Sequence, residues 1–314
     1  MKNLIKIIFI VFLLGSLFCG CQKEQDSYTQ QNTQDIEMPS TASSTVGTDK
    51  SLESVASSSE KPEKQNSVDK KTVSATVPSL QTGSNKRLSW SFVRKKDNLP
   101  PAFTKQYSEL ADKYGAIYIG DTTKKTIYLT FDEGYENGYT PKILDTLKDN
   151  DVKAAFFITM PYLKNEYKLV ERMLNEGHIV GNHTVNHLSL PELSDNKVEK
   201  ELIDLDLLFK EKAGISMKYM RAPKGEFSER TLKISKELGY TNVFWSFAYA
   251  DWDRTKQKGA DNAYNMVMNN IHNGAVLLLH AVSSDNAEAL DRIIKDLKTQ
   301  GYTFSSLDEF KKSN

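Results

Sequence analysis

The chain has 314 residues, enough for one large domain or two ordinary ones. Its 41 Lys and Arg balance its 41 Asp and Glu, which argues against a protein that holds nucleic acid through a field of phosphates. A hydrophobic share of 39% is low for a fully packed chain, so part of the sequence is expected to stay outside any core. Cys19 and Cys21 are the only cysteines. The rest of the chain therefore has no disulfide framework, no cysteine nucleophile and no thiolate metal site.

Lys2 and Lys6 flank the start of an apolar run, Ile7 to Leu14. The apolar residues stop near Phe18, short of the ~20 that span a bilayer comfortably, so residues 1–21 read as an export signal. Its end, Leu17-Phe18-Cys19-Gly20-Cys21, resembles a bacterial lipoprotein box. That resemblance implies lipidation of Cys21 and a membrane anchor facing the cell wall or the intermembrane space of a spore. Ordinary secretion and an uncleaved anchor are the alternatives.

About a third of residues 22–85 are Ser or Thr, and Tyr28 is the only aromatic there. Such a stretch buries too little apolar surface to offset chain entropy, so a disordered linker is expected. Trp90, Phe92, Phe103, Tyr107 and Tyr114 restore aromatic content. An ordered lead-in is expected over 86–120, and the main domain over 121–310.

From Thr126 a short apolar run, a loop and an amphipathic helical pattern repeat. The expected strands are Thr126–Phe131, Ala154–Thr159, His178–His183, Tyr219–Pro223, Asn242–Phe247 and Ala275–His280. Helical patterns fall between them at Pro141–Asn150, Lys168–Glu176, Val198–Lys212, Glu229–Leu238 and Ala263–Ile271, and a last one follows at Ala287–Thr299. Gly177, Gly214, Gly239, Gly274 and Gly301 stand where left-handed caps belong. Alternating strands and helices indicate parallel βαβ units, and six of them point to an α/β barrel. A doubly wound open sheet is the alternative, weakened because no Gly-rich nucleotide loop follows the first strand.

The polar residues gather at the carboxyl ends of these strands, where barrel enzymes place their chemistry. Asp132 and Glu133 follow the first strand, His183 ends the third, Arg221 lies near the end of the fourth, Asp251 and Trp252 lie beyond the fifth, and His280 closes the last. His183 and His187 are four apart; on a helical turn they would share a side, as suits a metal such as zinc. Asp132 and Glu133 are adjacent, so their side chains leave in different directions, and one could bind metal while the other acts as a base. His280 is a candidate general acid, because imidazole titrates near neutral pH. His178 and His272 sit beside glycines at helix ends and read as structural.

Taken together, Thr130-Phe-Asp-Glu-Gly134, His183-Thr-Val-Asn-His187, Arg221-Ala-Pro-Lys-Gly225, Asp251-Trp252 and Leu277-Leu-Leu-His280 resemble the polysaccharide deacetylase family (NodB homology, carbohydrate esterase family 4). Gly134-Tyr-Glu-Asn-Gly-Tyr139, Phe227-Ser-Glu-Arg-Thr231 and Val282-Ser-Ser-Asp-Asn-Ala-Glu-Ala-Leu290 resemble its spore-cortex muramic δ-lactam deacetylases. The resemblance implies a distorted (β/α) barrel and hydrolysis of an N-acetyl group on a peptidoglycan strand, with a divalent metal, zinc first and manganese, cobalt or magnesium next. By motif, Asp132 would be the base, Arg221 would orient it, His280 would be the acid and Asp251 would tune it. His183, His187 and Glu133 would hold the metal, Glu133 standing where the family usually carries Asp and the δ-lactam subgroup often Asn. Lys224, Trp252, Tyr135 and Asn137 would contact the sugar, and the chain is expected to act as a monomer. Two other readings stay open: a deacetylase of wall N-acetylglucosamine or of vegetative-wall N-acetylmuramic acid giving lysozyme resistance, and a degenerate wall-binding lipoprotein without turnover.

Overall fold

The computed structural model describes residues 83–312. The expected export signal, Cys21 and the expected linker as far as residue 82 lie outside the described residues. Among the described residues no helix is long and apolar enough to cross a membrane.

The short strands β1 (Leu88–Ser89), β2 (Phe92–Val93) and β3 (Ala102–Phe103) lead into α1 (Lys105–Lys113). Strands and helices then alternate: β4 (Thr126–Glu133), α2 (Thr140–Asp149), β5 (Ala155–Ile158), α3 (Met160–Asn165), α4 (Tyr167–Asn175), β6 (Ile179–Asn182) and α5 (Asp195–Ala213). They are followed by β7 (Tyr219–Met220), β8 (Glu226–Phe227), α6 (Glu229–Glu237), β9 (Thr241–Asn242), α7 (Ala260–Met268), β10 (Ala275–His280), α8 (Ser284–Thr299) and β11 (Thr303–Phe304). All five glycines expected at helix ends have positive φ; Gly214, at +74°, closes α5.

The main sheet is parallel in the order β10-β4-β5-β6-β7-β9, with β11 joining the first residues of β4. Around this curl the strands follow chain order and β10 returns beside β4, so the reversal of a doubly wound sheet is absent. Closure is thin. Beyond β9 the chain meets β10 through a single bridge between Phe247 and Leu277, with the Leu278 N–H donating to the Phe247 carbonyl at 2.9 Å, and through bonds from Ser246 to Val276. The result is a distorted (β/α) barrel.

Period-two alternation explains what each strand buries. Ile127, Leu129 and Phe131 of β4 point outward into the large core shared with α2, α4, α5 and α8, whereas Tyr128 points inward with Phe157, Tyr219 and Val276. On the same count Thr130 and Asp132 continue the inward face, as do Gly181 and His183 beside β6, Arg221 after β7 and His280 on β10. Gly181 is required to be small: a Cβ there would stand 2.6 Å from the Phe157 ring. Phe157 fills the barrel under the site, and the Arg221 guanidinium lies 4.2 Å from its ring centroid.

The lead-in is bound to the domain through β1, which pairs antiparallel with β8. Trp90 stacks on Phe244 at 4.4 Å between ring centroids, and its indole N–H donates to the Trp245 carbonyl at 2.8 Å. An aromatic cluster joined through Phe227 and Tyr118 holds this segment in place.

Candidate active site

Two hydrogen-bonded pairs stand at the carboxyl ends of adjacent strands. On β4 the Asp132 Oδ1 accepts from the Arg221 Nη1 at 2.7 Å. Arg221 is fully buried and is held from behind, donating to the Val243 carbonyl at 2.9 Å and to the Thr130 hydroxyl at 2.8 Å. Burial pushes the Asp132 carboxyl up, but Arg221, His183 and His280 override it and hold the pKa below the ordinary Asp value. On β10 the His280 Nδ1 lies 2.7 Å from the Asp251 Oδ1, and the His280 backbone N–H donates to the other carboxylate oxygen at 2.8 Å. Burial disfavours the imidazolium, yet the buried Asp251 carboxylate outweighs it and raises the pKa of His280.

His183 and His187 lie beside Asp132, but they do not share a helical turn. The segment after β6 is a bend in which Thr184 and His187 take left-handed φ of 70° and 55°. Glu201 on α5 holds it, accepting from the Asn186 N–H at 2.8 Å and side-chain amide at 2.6 Å. The bend brings the two imidazoles to 4.8 Å between centroids. The Arg221 carbonyl lies 2.9 Å from the His183 Nδ1, which fixes the proton on that nitrogen and leaves the Nε2 lone pair facing the site. Burial lowers the pKa of His183, and burial, with the repulsion two imidazolium rings side by side would feel, pushes His187 down to about 3, so the neutral form is favoured in both rings.

These donors fit a divalent cation in kind. The His183 Nε2 and the Asp132 Oδ2 face each other at 3.4 Å, two lone pairs aimed at one space with no proton between them, an arrangement a cation relieves. Among the described residues no three His, Cys, Asp or Glu side chains form a ready-made cage.

Glu133 does not join them. As the last residue of β4 it follows Asp132 on the opposite, helix-side face, where it is completely buried and neither carboxylate oxygen has a hydrogen-bond partner. Burial, then the charges of Glu136 and Asp132, raise its pKa well above the ordinary Glu value, and Thr140 offsets little of this. The expectation that it would stand with the histidines is not met by this placement: the period of the strand sends it away from them.

The residues expected to contact a sugar form the rim. Trp252 and Tyr135 are each 41% exposed, and Trp252 meets His280 edge-on at 5.8 Å. Lys224 is the exposed residue in the otherwise buried run 221–228, turned outward by a left-handed φ of 57°, and its charge reaches His187. Asn137 donates to the Val282 carbonyl at 2.8 Å. Sequence reasoning missed Arg254, which lies 5.1 Å from the Tyr135 ring centroid and 3.3 Å from the Asn137 Oδ1. It also missed Thr130 as a brace for Arg221; a lone polar residue on the inward face of an apolar strand was the available signal. His178 and His272 are structural, the first accepting from the Ala154 N–H through Nδ1 and the second bonded to the Asn270 carbonyl and the Ser246 hydroxyl.

Residues 119–243 match the family described as polysaccharide deacetylase. The chain is 53% identical over 227 residues to an uncharacterized 30.6 kDa protein of Geobacillus stearothermophilus, covering 72% of this chain and 86% of that one. It is 48% identical over 229 residues to the peptidoglycan-N-acetylmuramic acid deacetylase PdaA of Bacillus subtilis strain 168, with the same shares covered. The solved structure of Bacillus subtilis PdaA, a family 4 carbohydrate esterase, superposes with a TM-score of 0.71 at 47% identity, over 72% of this chain and 97% of that one.

Proposed function

The chain belongs to the polysaccharide deacetylase family, and from that premise we propose that it is a metal-dependent peptidoglycan deacetylase that hydrolyses the N-acetyl group of N-acetylmuramic acid, as a step toward the muramic δ-lactam of spore cortex. The observation that carries this reading is the pair of oppositely tuned groups on β4 and β10: a carboxylate whose ionised form Arg221 favours and an imidazole whose protonated form Asp251 favours. An amide is a poor electrophile and its amine a poor leaving group, so hydrolysis needs both a base for water and an acid for nitrogen.

Asp132 takes the proton of the attacking water as its oxygen bonds to the acetyl carbon. The Nε2–H of His280 protonates the nitrogen as the C–N bond breaks, giving the free amine of the sugar and acetate. Arg221 favours the ionised form of Asp132 and aims it, and Asp251 accepts the Nδ1–H of His280 and favours the imidazolium, in which Nε2 carries the proton that faces substrate. His183 and His187 are the residues that would hold a divalent ion, zinc by donor type. When bound, that ion supplies Lewis acidity toward the acetyl oxygen and acidifies water.

Muramic acid differs from glucosamine by a lactyl group, which is a carboxylate when no peptide is attached. Lys224, exposed at the rim and near His187, offers that carboxylate a point charge. The test is mass spectrometry of products from peptide-stripped and intact glycan. The expected products are de-N-acetylated muramic acid or its lactam, with Lys224→Ala raising KM more than it lowers kcat. Release of glucosamine alone assigns the enzyme to lysozyme resistance instead. In the cell we propose export and anchoring through a lipidated Cys21, a reading that retention of Cys21→Ser on the membrane would overturn.

A further inference from the structure

Behind the Asp251–His280 pair lies a side chain that the mechanism above does not use. Asn286, in the first turn of α8, is 1% exposed. Its amide nitrogen donates to the Asp251 Oδ2 at 2.6 Å and to the His280 carbonyl at 3.2 Å, and its oxygen accepts from the Tyr249 hydroxyl. The orientation of the amide follows from this set. A carboxylate only accepts, so the NH2 must face Asp251, and the oxygen is left to the phenol, which donates. Every hydrogen-bonding atom of the Asn286 amide is thereby used on residues 249, 251 and 280.

The same helix end carries the loop that bears Asp251. Ser283 caps α8 by accepting from the Asn286 N–H at 3.2 Å and donates to the Gln257 Oε1 at 2.7 Å. The Gln257 amide donates to the carbonyls of Asp251 at 3.3 Å and Asp253 at 2.9 Å. Asp285 accepts from the backbone N–H groups of Lys258 and Gly259 at 2.7 and 2.8 Å. The start of α8 is therefore the fixed body against which residues 251–259 are set.

We propose that Asn286, pinned by Tyr249, is a positioning residue that fixes the rotamer of Asp251 and through it the ring of His280. With both Asp251 oxygens committed, the carboxylate has one orientation in which it meets Nδ1, and the imidazole then presents Nε2 to the leaving nitrogen. Losing the Asn286 amide leaves the His280 backbone N–H as the remaining donor to Oδ2, so the carboxylate is held less tightly. The acid would then be present but aimed less often, which lowers the rate of the chemical step and leaves substrate binding alone. Burial and the nearby Asp251 and Asp285 raise the pKa of Tyr249, which keeps it a donor.

The inference rests on reading His280 as the acid, and its test separates the two. The charged and titratable groups facing His280 are Asp251, Asp132, Arg221, His183 and His187. In the full chain, Asn286→Ala is expected to lower kcat roughly tenfold with KM unchanged, part of the ~10²–10⁴-fold that a positioned acid contributes. Tyr249→Phe, which keeps the ring, is expected to act in the same direction by a smaller factor, and it tests the idea should Asn286→Ala fail to fold. Asn286→Asp sets a second carboxylate beside Asp251 and is expected to raise the His280 pKa by about one unit. The downfield proton resonance of the His280 Nδ1–H should broaden in Asn286→Ala and persist in the wild-type chain. Variants that lose thermal stability while keeping this resonance, the His280 pKa and kcat at wild-type values would overturn the proposal and leave Asn286 a helix-packing residue. If the wild-type chain releases no acetate from any glycan, the deacetylase reading fails, while the resonance and the titration still decide whether Asn286 positions the pair.

Discussion

His280 stands directly opposite Asp132 in the parallel register of β10 and β4. Inward-pointing residues at one level of neighbouring strands look into the same space, so the register itself sets base and acid on two sides of one pocket. Each then has a separate tuner that comes from elsewhere in the chain, Arg221 after β7 and Asp251 beyond β9. Because the two groups do different halves of one hydrolysis, losing either should be enough. Asp132→Asn and His280→Gln are each expected to cut acetate release by ~10²–10⁴-fold while the domain stays folded by circular dichroism. A folded variant that turns over near the wild-type rate would remove that residue from the mechanism.

Activity against pH should be bell-shaped, with both limbs displaced outward. Asp132 must be ionised and its pKa is lowered, so the acid limb should lie below the ordinary Asp range. His280 must be protonated and its pKa is raised, so the alkaline limb should lie above the ~6.5 of a free imidazole. Stability is linked to the same groups. The contribution of Asp132 is present above its unfolded value of ~3.9 and is lost as pH falls through the folded one. That of His280 is present below ~6.5 and is lost as pH rises through its folded value. Initial rates and urea midpoints across pH check both, and limbs at the free-residue values would show that the two pairs are not formed in solution.

The strand that carries the base was legible because Thr126–Phe131 is short, apolar and followed by two acids, and β10 coincides with the expected run. Residues 219–223 and 242–247 were read as full strands but form strands only at Tyr219–Met220 and Thr241–Asn242, with isolated bridges at Val243 and Phe247 beyond them. There the chain bends away toward Pro223 and toward the Phe247 bridge, and apolar content alone does not reveal where pairing stops. The spacing of His183 and His187 announced a shared site but not its backbone, because the left-handed Thr184 and His187 are held by Glu201 from α5, a partner no local pattern contains. Asn286 stood inside the 282–290 motif, but its bond to Tyr249 was invisible for the same reason, the two being 37 residues apart.

Gly181 shows how a site can depend on an absent side chain. A methyl group at this position would overlap the Phe157 ring, and Phe157 supports Arg221 from beneath. Gly181→Ala is expected to cost about 1–3 kcal/mol of unfolding free energy, as overpacking does, and to lower kcat because the displaced ring moves Arg221 and with it Asp132. Adding Phe157→Leu should restore more of the stability than of the rate. Denaturant midpoints and acetate release on the three proteins measure this, and a Gly181→Ala variant with wild-type kcat would uncouple the barrel filling from the base.

Glu133 offers the sharpest separation between motif and structure. By motif it stands at a metal-ligand position, yet its carboxylate is buried on the outer face of β4 with no hydrogen-bond partner and with its pKa raised well above the ordinary value. In the unfolded chain it ionises near ~4.3, whereas in the folded chain the proton is retained to higher pH. The folded state therefore binds more protons across that window, and stability falls as pH rises through it. Glu133→Gln keeps the shape and removes the titration, so it should match the wild type in acid and be more stable at neutral pH. Metal content, measured by plasma mass spectrometry on protein loaded with zinc, should stay at the wild-type level in Glu133→Gln and fall in His183→Ala and His187→Ala. Loss of zinc from Glu133→Gln equal to that from the histidine variants would mean that the carboxylate leaves its buried site to bind the ion, and the outward placement would then describe only the metal-free protein.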